Sequence, residues 1–180
     1  MPDVSRDIIR IGVDFNIDNM SAVIGVVQKG ELHIFDEISG EHDTDSLARE
    51  IRRRFPHHTI YGYPDASGAN RNTNAAKTDI QVLEQYKIQN MSGPSNPYVR
   101  DRVAAVQALL ENGKGLVRFH VSPKCEKVIE CLELQSYTEK GDPDKESGYD
   151  HMNDALGYLI WREFNPLHMG SGRSTGIRIY

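Results

Sequence analysis

"IIRIGVDFNIDNMSAVIGVVQKGELHIFDEI", residues 8–38, carries the reading of the fold. Residues 8–15 are apolar and β-branched up to Asp14, the pattern of a strand buried on both faces. "MSAVIGVVQ" (20–28) repeats that pattern. "QKGE" is turn chemistry, and "ELHIFDEI" (31–38) then alternates with period two. Connections this short join antiparallel neighbours, so the first three elements form a meander.

Beyond the meander the pattern changes to alternating helices and strands. Asp43, Thr44 and Asp45 are placed to cap "SLAREIRRRF", and Pro56 ends it. "HTIYGYPD" is a fourth strand that stops at Pro64-Asp65, followed by a polar loop, "ASGANRNTN". "AKTDIQVLEQY" is a helix and "KIQN" a short strand. "PYVRDRVAAVQALLENG" is a helix with Pro at its first turn and a Gly stop. "GLVRFHV" is a strand, "PKCEKVIECLELQSY" a helix, "TEKGDPDKESGY" a charged loop, and "DHMNDALGYLIWREF" the last helix. This order excludes a doubly wound parallel sheet. It predicts an α/β fold with a mixed sheet, three antiparallel strands then parallel ones, flanked by helices. Residues 1–164 form one domain, and the Gly/Ser-rich residues 165–180 a flexible C-terminal tail.

A chain of 180 residues suits one sizeable core. The net charge of −5 argues against wholesale coating of nucleic acid, but Arg49, Arg52, Arg53 and Arg54 cluster, so local basic patches remain. Cys125 and Cys131 lack zinc-type spacing and read as reduced thiols of a cytosolic protein. No apolar run is long enough to span a bilayer, so no membrane partner is expected.

Three aspartates stand out. Asp14 closes the first strand, Asp65 the fourth, and Asp154 lies near the start of the last helix. Desolvated carboxylates are costly unless something positive neutralises them. The plain alternatives are a turn-capping Asp14, an N-capping Asp65 and a solvated Asp154. Against the last, Asp154 shares its helix side with Tyr158 and Trp161, which indicates a partly covered cleft. Hard cations such as Mg²⁺ or Mn²⁺ take several carboxylate oxygens, and two such ions can hold the attacking and leaving oxygens of a phosphodiester in line. The three aspartates therefore form a candidate metal and catalytic set, in which a central-strand Asp bridges and the others flank.

"IGVDFN", "GYPDASG" and "HMNDALGYLIW" together resemble the nuclease domain of bacteriophage terminase large subunits, which is ribonuclease H-like. The resemblance covers residues from about 8 to 164, and His-x-x-Asp-Ala-Leu-x-Tyr (151–158) is its most specific part. It implies a ribonuclease H-like fold and a metal-dependent endonuclease that cleaves concatemeric viral double-stranded DNA during genome packaging. On that resemblance Asp14 bridges two divalent cations, Mg²⁺ or Mn²⁺, while Asp65 and Asp154 each hold one. Asp150, one helical turn before Asp154, and Asp18 are further candidates, and His151 is placed to orient a water or phosphate. The implied partners are double-stranded DNA, a terminase ATPase domain, the portal and the small terminase subunit, in the cytoplasm of the infected host cell. The chain lacks the G-x-x-x-x-G-K-[ST] loop of that ATPase, since "GSGRST" (170–175) has no Lys, so it reads as an excised domain.

Phosphate contacts dominate duplex affinity, and Arg71, Lys77, Arg100 and Arg102 are the candidate DNA-binding residues. Asn70, Asn72 and Asn74 are candidates for hydrogen bonds to backbone oxygens. Two alternatives stay open: a Holliday-junction resolvase-like nuclease, and a non-catalytic DNA-binding or assembly module of the same fold.

Overall fold

The computed structural model describes residue 4 and residues 7–16, 19–70, 77–139 and 142–164. The expected tail (165–180), Asp18, Arg71, Asn72 and Asn74 lie outside the described residues. Strands β1 (Ile9–Asp14), β2 (Met20–Gln28) and β3 (Glu31–Glu41) form the antiparallel meander. Lys29 and Gly30 both take positive φ, giving the two-residue turn whose twist suits a hairpin. Asp43 caps α1 (Thr44–Arg54), accepting from Ser46 N at 2.8 Å, and Phe55 and Pro56 close it.

β4 (Ile60–Pro64) pairs parallel with β1. Helix α2 (Asp79–Gln85) begins later than its apolar pattern suggests, because Thr78 caps it. β5 (Ile88–Asn90) pairs parallel with β4. Helix α3 (Val99–Leu110) starts two residues beyond Pro97, which is therefore outside the first turn. β6 (Phe119–Val121) pairs parallel with β3 but is shorter than the run 115–121 suggests. Leu116 and Val117 stay exposed, so the apolar pattern there does not mark burial. Helices α4 (Glu126–Leu134) and α5 (Asp150–Phe164) complete the described elements.

The sheet order is β5-β4-β1-β2-β3-β6, with β2 the strand that runs against the rest. This is the mixed sheet read from the sequence. One face packs Ile9, Ile11, Ile24 and Val26 against Leu47 and Ile51 of α1 and Leu83 of α2. The other packs Val23, Leu32 and Tyr63 against Leu109 of α3, Val128 of α4 and the stripe of α5. That stripe, Met152, Leu156, Leu159 and Ile160, is at most 2% exposed. Four such side chains contribute on the order of 8 kcal/mol as an upper bound. This is enough to hold polar neighbours on α5 in a partly desolvated position. The helix lies directly on β1: a Cβ at Gly12 would stand 2.0 Å from the Ala155 carbonyl oxygen.

Candidate metal centre

The close crossing of α5 and β1 positions the acids. β1 ends at Asp14, in the middle of the sheet. The parallel register pairs Val13 with Pro64, and Asp65 N donates to Val13 O at 3.1 Å, so Asp65 leaves its strand beside Asp14. The N-terminal turns of α5 reach the same end of the sheet and bring Asp150, His151 and Asp154. All four aspartates line one cavity of about 660 Å³, together with Asn96, Arg102, Lys145, His151 and Tyr158.

Each acid has its own restraint. Asp14 is 9% exposed, and its Oδ2 lies 3.1 Å from His151 Nδ1. Asn16 Nδ2 stands 3.0 Å from His151 Nε2. The contact with Asp14 raises the His151 pKa above 6.5; burial opposes this, and the Asp150 and Asp14 charges add to it. Asp65 caps the 3₁₀ turn Ala66–Ala69. Its Oδ1 accepts from Ser67 N at 2.7 Å and Asn96 Nδ2 at 2.6 Å, and its Oδ2 from the Tyr158 hydroxyl at 3.3 Å. Burial pushes the Asp65 pKa up, but the bonds from Asn96, Ser67 and Tyr158 outweigh it and hold the carboxylate ionised.

Asp154 is held by charge. Arg102 Nη1 lies 2.9 Å from Asp154 Oδ1, as an ion pair without an aligned hydrogen bond. The Arg102 guanidinium stacks over the Tyr158 ring at 4.3 Å, linking the restraints on Asp65 and Asp154. Lys145, from the loop before α5, stands 3.9 Å from both Asp150 and Asp154. Even so the Asp154 pKa is raised: burial outweighs Arg102, and Asp14 and Asp150 add repulsion. Asp150 is 5% exposed, and its Oδ1 is buried with no hydrogen-bond partner.

These features test the fit to a cation. The donor set is all oxygen, one buried carboxylate oxygen has no hydrogen bond, and four carboxylates face Arg102, Lys145 and His151. A hard divalent cation suits that set. The oxygens do not close on one point, however. Among the described residues, the trio with ligand atoms all within 4.8 Å of one another is Glu31, His33 and His120, at another place in the fold.

The other expected residues separate. Lys77 and Arg100 are exposed, Arg100 strongly so at 83% of its side chain. Arg102 lies at the acidic cavity rather than free on the surface. Its side chain is 7% exposed and is committed to Asp154 and Tyr158, because α3 packs its Arg102 face onto α5. Asn70 is exposed at the end of the 3₁₀ turn. Sequence reasoning missed Asn96 and Lys145. Both come from irregular segments with no periodic signal to place them.

A sequence model of the family described as Terminase RNaseH-like domain matches residues 11–163. The chain belongs to this terminase RNaseH-like family. Its fold is similar to solved terminases. The g2p large terminase nuclease domain of bacteriophage SPP1, with bound Mn, is 19% identical with a TM-score of 0.62, over 90% of this chain and 92% of that one. The nuclease domain of the P22 large terminase is 17% identical with a TM-score of 0.64, over 90% and 84%. The large terminase nuclease of thermophilic phage G20c, with bound magnesium, is 20% identical with a TM-score of 0.56, over 89% and 82%. A longer large terminase, from another thermophilic bacteriophage, is 18% identical with a TM-score of 0.67, over 89% of this chain. The present chain spans 41% of that longer protein. No curated protein matches the chain. At these identities the structures speak for the terminase fold, and the family match for membership.

Proposed function

We infer that this chain is the nuclease domain of a phage large terminase, a metal-dependent endonuclease that cleaves concatemeric viral double-stranded DNA during packaging. The observation that carries this reading is the sharing of one cavity by Asp14, Asp65 and Asp154, from three separate elements, in a terminase RNaseH-like chain. The Mn and magnesium bound by the SPP1 and G20c domains support the choice of cation.

Asp14, Asp65 and Asp154 would hold two cations, Mg²⁺ or Mn²⁺, with Asp150 as an additional ligand. Bound there, such ions supply charge neutralisation at the scissile phosphate and an activated water. The chain's own groups prepare the site. Asn96 and Ser67 N aim Asp65, and Tyr158 steadies its second oxygen. His151 holds Asp14 and carries a proton at the cavity wall. Arg102 and Lys145 neutralise Asp154 and Asp150 in the free protein.

Arg71, Lys77 and Arg100 are the residues we assign to backbone phosphates, with little direct reading of bases. The ATPase domain, portal and small subunit would be partners of a longer terminase in the host cytoplasm. No described helix is long and apolar enough to cross a membrane.

Plasmid cleavage tests the reading. With Mg²⁺ or Mn²⁺ the chain nicks supercoiled DNA, and Asp14→Asn or Asp154→Asn lowers the rate by about a hundredfold or more, equivalent to roughly 2.7 kcal/mol of barrier. Unchanged far-UV circular dichroism shows that the fold survives. Near-full cleavage by folded Asp14→Asn overturns the assignment.

A further inference from the structure

A second set of ligand-type side chains lies at the far end of the sheet. Asp14 pairs with Ser21, and Ser21 with Ser39. His33 and Glu31 sit at the opposite end of β3, about 20 Å and about 26 Å along the strand from Ser39 at ~3.3 Å per residue. The parallel pairing of β3 with the edge strand β6 sets His33 directly beside His120. Paired residues project from the same face of a sheet, and so does Glu31, two residues before His33. The imidazole rings stack, with centroids 4.6 Å apart and planes at 15°.

Both rings turn Nε2 toward one carboxylate oxygen. His120 Nε2 is 2.9 Å from Glu31 Oε2, and His33 Nε2 is 3.8 Å from the same atom. A hydrogen bond accounts for the first contact. It does not account for the second, which exceeds hydrogen-bond length. Two nitrogens and one oxygen around a tetrahedral ion at ~2.0–2.1 Å would stand about 3.3 Å apart. The two Nε2–Oε2 separations bracket that value, and binding would turn the imidazoles out of their stack so that both Nε2 lone pairs meet at the ion.

We propose that Glu31, His33 and His120 form a binding site for a divalent transition-metal cation of the zinc class, separate from the acidic cavity. Two imidazoles and a carboxylate favour such an ion over Mg²⁺, which prefers an all-oxygen shell. The side chains are 25%, 40% and 44% exposed for His33, Glu31 and His120, which leaves a coordination position for water. His33 and His120 also line an open cavity of about 450 Å³ with Gln28 and Ser122, a path for that water. The ion would tie the three-residue β6 to β3, an edge pairing that otherwise rests on a short ladder. The assignment is independent of the nuclease reading.

The test uses the whole chain stripped of metal by chelator, with Zn²⁺, Co²⁺ and Mg²⁺ as probes. Calorimetric titration of Zn²⁺ and the visible absorption of the Co²⁺ adduct report the site. The melting temperature reports its hold on the fold. Zn²⁺ is expected to bind and raise Tm. His120→Asn, at an exposed position, and Glu31→Gln, at a half-buried one, lower Zn²⁺ affinity by about tenfold or more and weaken the Co²⁺ band. With the acidic cavity saturated by millimolar Mg²⁺, Asp154→Asn leaves Zn²⁺ affinity and the Co²⁺ band at the Glu31–His33–His120 site in place. Wild-type protein without Zn²⁺ binding overturns the proposal. So does affinity unchanged in His120→Asn and Glu31→Gln, or lost in Asp154→Asn with the fold intact.

Discussion

Burial and two neighbouring acids oppose the charge of Asp154 and raise its pKa, while Arg102 supports that charge. Lys145 adds a second, looser support, and being 66% exposed it is free to leave. An incoming cation has to take over that charge balance, so Lys145 competes with it. We expect Lys145→Ala to lower the Mg²⁺ concentration needed for half-maximal cleavage by about two- to fivefold, the equivalent of an exposed pair of ~0.5–1 kcal/mol. A Mg²⁺ titration of nicking rate checks this, and an increased requirement counts against it. His151 gives a pH signature in metal-free protein. Its folded pKa lies above 6.5 because of Asp14, so its stabilisation is complete below pH 6.5 and fades as pH rises through the folded value. Urea unfolding should therefore show wild type more stable than His151→Gln in mildly acidic buffer, with the gap closing toward alkaline pH. At this scale the gathering of the aspartates in one cavity was legible because two lie at or just past strand ends and one lies near the start of a strongly apolar helix. The burial of Arg102 against Asp154 and Tyr158 was not legible, because a cation on a helix gives no sign of which face is covered. Asn96 and Lys145 acquire meaning only through tertiary placement.

The crossing of α5 over β1 is the contact that joins core to site. A methyl group at position 12 has no room, because the Ala155 backbone already occupies the space. Gly12→Ala is expected to push the helix outward, costing about 1–3 kcal/mol. It should also lower Mg²⁺-dependent cleavage, since Asp154 is one residue from the displaced Ala155. Thermal unfolding and nicking measured together test this, and a variant with native Tm refutes the close-packing argument. The central strands and α5 were readable as elements because their apolar patterns are long and strong. β6 was overextended because Leu116 and Val117 look like strand residues yet remain in water. The start of α2 shifted because the capping box of Thr78 and Gln81 overrides the preceding pattern.

For the molecule as a whole, charge limits how the DNA of the proposed function could be gripped. With a net charge of −5, attraction must come from a few local cations. Arg100→Ala should weaken duplex binding uniformly across sequences and reduce the slope of log affinity against log salt by about 1. Fluorescence anisotropy at several salt concentrations measures that slope, and an unchanged slope removes Arg100 from the interface. The overall architecture was legible because the meander announces a mixed sheet. Which surface cations would serve the proposed DNA contact was not, since surface charge carries no periodic signal. The arrangement of the acids along the chain has a further consequence. Asp14 ends β1, Asp65 follows β4, and Asp150 and Asp154 both belong to α5, so the proposed ligand set loses two acids at once without that helix. On the proposed reading, docking of that single helix onto β1 would turn an incomplete ligand set into a complete one, coupling metal capture to the last step of packing the core around Gly12.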